Sequence, residues 1–223
     1  MKISEMHNKF RLYAQKMSMQ TVLAILPEEI DEVFNTTIPE YARDKFSRKR
    51  NRELNGVSDN VVRLAELEPL YYNYKEDFTP AKNPDVIAFG EGFKFPLPID
   101  YMFYLNTTIK ITNGNSLSFA DTRLIDIEKV PLTMNDYHSK STSESPICYI
   151  NNENVEVLLN EQISGIIFNY IRVPNKVSLA NDVGCELPDF AVDEIIMRAV
   201  NLYNAASDNS SYEKVAVETQ KLE

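Results

Sequence analysis

Two histidines and two cysteines are all that this chain offers as metal ligands of the softer kind or as strong nucleophiles. His7 and His138 stand far apart in polar segments, where an imidazole is expected to face solvent. A three-histidine metal centre is impossible, and a mixed one would need His138, a cysteine and carboxylates to converge with no motif to bring them together. Cys148 falls in a strand-like run and Cys185 follows Gly184 in a connection. Neither has a Cys-x-x-Cys partner or a cysteine-enzyme signature beside it, so both read as structural thiols of a reduced chain. Gly90-Glu91-Gly92 lacks the helix-opening pattern of a phosphate loop and reads as a tight turn before Phe93. Asp126 and Glu128 are spaced to divide acid and base roles, yet the acidic–apolar alternation from Leu124 to Glu128 is also that of a half-exposed strand. The chain reads as a non-enzyme without cofactor or metal.

Binding leaves a clearer trace than catalysis. Arg43, Lys45, Arg48, Lys49, Arg50 and Arg52 form a basic cluster in a protein of net charge −10. Three roles fit it: the solvated C-terminal end of a helix, where the helix dipole favours cations; a handle for an acidic neighbouring subunit; or a contact with DNA passing through a channel. The overall acidity excludes a surface built to grip nucleic acid, because phosphate binding needs clustered Lys and Arg to release counterions. Repeated around a ring, the same acidity would suit a bore along which DNA slides without sticking. No apolar run approaches the ~20 residues that span a bilayer. Val22 to Leu26 is too short for a signal peptide core, so synthesis in the cytosol is expected.

The elements that must position these residues divide by periodicity. Phe10, Tyr13 and Met17, then Val22, Leu23 and Leu26, suit an interrupted helix from about Ser4 to Leu26. A second helix follows Pro27, with Pro39 expected to kink or restart it before Tyr41, Ala42, Lys45 and Phe46. A third short helix is expected between the cap Ser58 and Pro69. Tyr71, Tyr72, Tyr74 and Phe78 crowd a segment ended by Pro80 and Pro84, which reads as an irregular aromatic connection. Strands are expected over Tyr101 to Thr112, Leu124 to Val130, Ile147 to Ile150, Val155 to Leu159 and Gly165 to Val173, with Asn151-Asn-Glu-Asn154 as a hairpin turn. Met134 to Pro146 reads as a long exposed loop. Glu186-Leu-Pro-Asp-Phe190 opens a helix to about Ala206 whose apolar stripe is Val192, Ile195, Ile196, Ala199, Val200, Tyr203 and Ala206, with Pro188 in the first helical position.

The fold expected is therefore α+β: an N-terminal helical unit (residues 1–68), a β-rich domain (69–180) forming a small, mostly antiparallel barrel or sandwich, and a C-terminal helix (181–206) completing the helical unit. A polar tail (207–223) fits a segment that only a partner orders.

The order of several short motifs carries a resemblance. These are Leu26-Pro-Glu-Glu-Ile-Asp31, Asn35, Tyr41-Ala-Arg-Asp-Lys-Phe46, Ser58-Asp-Asn-Val-Val-Arg-Leu64, Phe95-Pro-Leu-Pro-Ile-Asp-Tyr101, Tyr170-Ile-Arg-Val-Pro174 and Leu187-Pro188. Together, from about Pro27 to Ala206, they resemble the head-to-tail connector and ring proteins of tailed bacteriophages, especially virion structural proteins of crAss-like phages. The resemblance implies a homo-oligomeric ring of portal-matched, twelve-fold symmetry. It would contact the portal protein and adjacent tail or ring proteins and line a channel for DNA without sequence-specific binding. It also implies location in the virion, at the neck or tail. Another tail tube or stabilisation protein, or a regulatory binding module acting through Tyr71 to Phe78, are the alternatives.

Overall fold

The computed structural model describes residues 1–18, 25–51, 65–113 and 116–206. The fold is α+β, with the chain divided into two compact units: Met1–Leu70 with Val173–Glu223, and Tyr71–Arg172 between them. The β unit is thus inserted into the helical one. The return crossing falls at Val173, so residues 173–180 belong with the helices and not with the β domain.

In the helical unit, α1 (Ile3–Ser18) buries Ile3, Met6, His7, Phe10 and Ala14, one face at three- and four-residue spacing. Helix α2 (Pro27–Asn51) does the same with Ile30, Phe34, Ile38, Tyr41 and Ala42. Pro39 neither ends nor restarts it. A proline removes one main-chain bond, and the buried side chains on both sides of it keep the helix continuous. The helix ends that the sequence pattern carried past Met17, and most of the third helix from Ser58, lie outside the described residues; the chain is next described as helical turns ending at Leu70. The last helix buries Val192, Ile195, Ile196, Ala199 and Val200 as its stripe predicts, but Ala206 is exposed and Asn204 is buried in its place. It begins at Asp189, and the Pro188 carbonyl accepts from the amides of Ala191 and Val192. This helix packs against both α1 and α2, with Phe10 at the centre in edge contact with Phe34 and Tyr203.

The inserted unit is two sheets face to face. One has the order β1 (Tyr71–Lys82), β9 (Ile163–Arg172), β4 (Tyr101–Asn113), β5 (Ser116–Asp121), antiparallel throughout. The other has the order β2 (Asp85–Ile87), β3 (Gly90–Pro96), β8 (Asn154–Leu158), β7 (Ile147–Asn151), β6 (Arg123–Leu124), with β6 parallel to β7. Both sheets are open and neither closes into a barrel. Phe93, Phe95, Val155 and Val157 from one sheet and Ile109, Ile166, Phe168 and Tyr170 from the other make the shared core. The second face of the five-stranded sheet is covered by Phe89 and by the excursion between β6 and β7, through Ile125, Val130 and Met134.

Three local expectations change. Tyr71 to Phe78 is no irregular connection but the regular part of β1, paired residue for residue with β9 from Tyr71–Ile171 to Asp77–Gly165; the register shifts only around Pro80, which an edge strand tolerates. Leu124 to Val130 is not a strand: β6 stops at Leu124, and Asp126 begins a 3-10 turn that runs into α3 (Val130–Asn135), where Pro131 fits the first turn. The loop to Pro146 is exposed but anchored. Ser141 Oγ donates to the Leu158 carbonyl and accepts from the Ile147 amide, and Arg123 donates to the carbonyls of Ser139 and Lys140.

Candidate functional site

In the basic cluster the helical backbone of α2 carries Arg43, Lys45, Arg48, Lys49 and Arg50, while Arg52 lies outside the described residues. Arg43 is exposed. Lys45 is turned into the helical unit, where its Nζ lies 2.9 Å from Glu194 and 3.3 Å from Glu66 and over the ring of Tyr41. Arg198 completes the arrangement by bridging Glu194 at 2.7 Å and Asp44 at 3.0 Å. Lys45 is therefore part of an internal lattice of charge that ties α2 to the last helix. The lattice also sets proton affinities. Burial works to raise the Glu194 carboxyl, but hydrogen bonds from Lys45 and Arg198 outweigh it and hold the group below its ordinary value. The Tyr41 hydroxyl, desolvated and beside Glu194 and Glu66, is pushed well above the normal phenol range.

His7 is not in solvent. It is buried, its Nε2 2.8 Å from Asp31 Oδ1, and its Nδ1 has no hydrogen-bond partner among the described residues. Asp31 Oδ2 accepts from the Leu179 amide, and Asn35 both accepts from the Val177 amide and donates to the Val177 carbonyl. These contacts staple the returning segment to α2. A histidine beside a carboxylate suggests general-base chemistry; here the His7–Asp31 pair and the Leu179 amide together tie α1, α2 and residues 177–179. The spacing Ile3, His7, Phe10 already places His7 on the buried stripe of α1, a signal that its polar neighbours obscure. His138 is exposed, in edge contact with Tyr137.

Cys148 is fully buried, with Tyr104 Oη at 3.2 Å and Thr122 Oγ1 at 3.1 Å; burial pushes its thiol up despite those hydrogen bonds. Cys185 is partly exposed, and burial raises it also. Asp126 pairs with Lys129 at 2.7 Å on an exposed turn, and Glu128 is exposed beside it, so the two carboxylates do not face a common space. Gly90-Glu91-Gly92 is not the turn expected before Phe93: Ala88 and Phe89 make the turn, and the three residues open β3 paired with β2, with Gly90 at φ 147°, where a side chain would be strained. Glu156, which the sequence reading passed over, is 3% exposed between strands. It accepts from Tyr149 Oη and from Asn151 Nδ2, so its oxygens are occupied by neutral donors. Among the described residues no three or more His, Cys, Asp or Glu side chains gather as a metal site, and no helix is long and apolar enough to cross a membrane.

What the surface does offer is apolar side chains on separate elements of the β unit. Val86 on β2, Ile99 in the turn after β3, Phe119 on β5, and Leu132 and Tyr137 on and after α3 are all at least 60% exposed. Tyr71, Tyr72 and Tyr74 are half exposed along the free edge of β1. No protein-family model matches the chain, and no curated protein matches it.

Proposed function

We propose that this chain is a structural protein of a tailed-phage virion, one of many copies in a ring of the head-to-tail connector that sits below the portal and encloses the DNA channel. The observation that carries the reading is the spread of exposed apolar side chains over several faces of the β unit, from Val86 to Tyr137, while His7 and Glu156 are engaged by Asp31 and Tyr149 inside the fold. A subunit of a stacked ring needs neighbours on two sides and along the axis, so its contact surfaces are several and unlike. The net charge of −10 suits a bore that does not hold DNA. Of the basic cluster, Arg43 is exposed and placed to meet an acidic neighbour, and Arg48 and Arg50 are the positions whose reversal tests such a contact.

The test is electron microscopy of the purified protein, alone and with particles from its source. Rings on the portal axis, with the protein stoichiometric in purified particles, are expected. A monomer absent from particles would overturn the reading in favour of a regulatory binding module.

A further inference from the structure

The four-stranded sheet has two free edges of unusual quality. The outermost strands of the other sheet, β2 and β6, have three and two residues, too short to template a partner. In contrast, β1 pairs regularly with β9 over Tyr71–Asp77 and β5 runs over Ser116–Asp121, and each offers its outer row of backbone groups. Each step of the order β1, β9, β4, β5 is antiparallel, so β1 and β5 run in opposite directions. A second copy moved sideways and turned about a distant axis therefore brings its β5 beside this β1 already antiparallel. An even number of alternating strands is what permits this head-to-tail continuation.

The side chains select a register. Tyr71, Asn73, Lys75 and Asp77 share one face of β1, and Leu117, Phe119 and Asp121 share the matching face of β5, as the pairings through β9 and β4 require. Lys75 is exposed on its edge and Asp121 on the other, unlike charges in an otherwise acidic protein. With Lys75 opposite Asp121, Phe119 falls opposite Asp77, so Phe119–Asp121 lie along the regular part of β1 and residues 116–118 extend beside the irregular stretch toward Pro80. Resting on the ring reading above, we infer that β5 of one copy pairs antiparallel with β1 of the next, Asp121 against Lys75, so that the four-stranded sheets of neighbouring subunits join edge to edge.

The experiment places Lys75→Cys and Asp121→Cys together in a chain whose partly exposed Cys185 is replaced by serine, and oxidises it under native conditions. A ladder of disulfide-linked multimers is expected from the double variant and none from either single variant. In parallel, Lys75→Glu should weaken self-association by about tenfold and the added Asp121→Lys should restore it. Cross-linking by Lys75→Cys alone would mean two-fold β1–β1 pairing and overturn the inference. Rings that form without the double-cysteine linkage, or that ignore charge reversal, overturn it too while leaving the connector reading in place. A covalent ladder from a protein absent from particles upholds the pairing and removes the connector.

Discussion

Gly165 shows how much of the β unit depends on a side chain that is not there. It lies between Lys110 on β4 and Asp77 on β1, and the Lys110 ammonium passes over it to reach the Asp77 carboxylate. A methyl group at this position would stand 2.6 Å from Asp77 Oδ1 and 2.8 Å from the Glu76 carbonyl. Gly165→Ala should therefore destabilise the protein by about 1–3 kcal/mol, measured as a lower urea midpoint at unchanged slope. Thiol labelling provides a second check at this scale. Cys148, buried and with its thiol pushed up by burial, should resist alkylation at pH 8 until the protein unfolds, whereas the partly exposed Cys185 reacts in the native state. Mass spectrometry of the labelled peptides separates the two, and rapid native labelling of Cys148 would contradict the packing around Tyr104 and Thr122.

At the scale of elements, the charge lattice between α2 and the last helix makes a pH prediction. Glu194 has a lowered affinity for protons in the folded state, so its stabilising contribution is complete above its ordinary value of 4.5 and is lost as pH falls through the lower folded value. The melting temperature of the wild type should drop on acidification through that window, and the drop should be smaller in Glu194→Gln. At neutral pH the same variant should cost only about 1 kcal/mol, since the carboxylate is partly exposed to solvent. The helices themselves were legible from periodicity, and so were β4, β9 and the β7–β8 hairpin, because one buried face imposes a regular pattern. β1 was not, because as an edge strand it shows aromatic residues on both faces and its prolines suggest a break. The inward turn of Lys45 follows from its place three residues after Ala42 and four after Tyr41, but composition alone made it look like one more surface cation. The latch of Glu156 with Tyr149 depends on a cross-strand register that no local pattern announces.

For the whole molecule, the proposed connector role turns on the basic cluster of α2. Reversing Arg48 and Arg50 to Glu should abolish incorporation into particles while leaving circular dichroism and melting unchanged, whereas Lys45→Glu should damage the helical unit itself. Normal incorporation of the double reversal would remove the basic cluster from the assembly mechanism. The inserted architecture allows a separate check: residues 71–172 expressed alone should melt cooperatively with a β-type spectrum, because both faces of the five-stranded sheet are covered from within that unit. The pairing of Tyr71 with Ile171 brings the two ends of the insertion side by side. A chain still unfolded between Leu70 and Val173 would have to close a long loop before its last helix could reach α1 and α2. Once the β unit has folded, that loop is closed in advance, an entropic saving of roughly 4 kcal/mol. Synthesis from the N-terminus then favours an order of events in which the segment made first is completed last: α1 and α2 emerge before the β unit, and their unit is finished only when the final helix arrives after it.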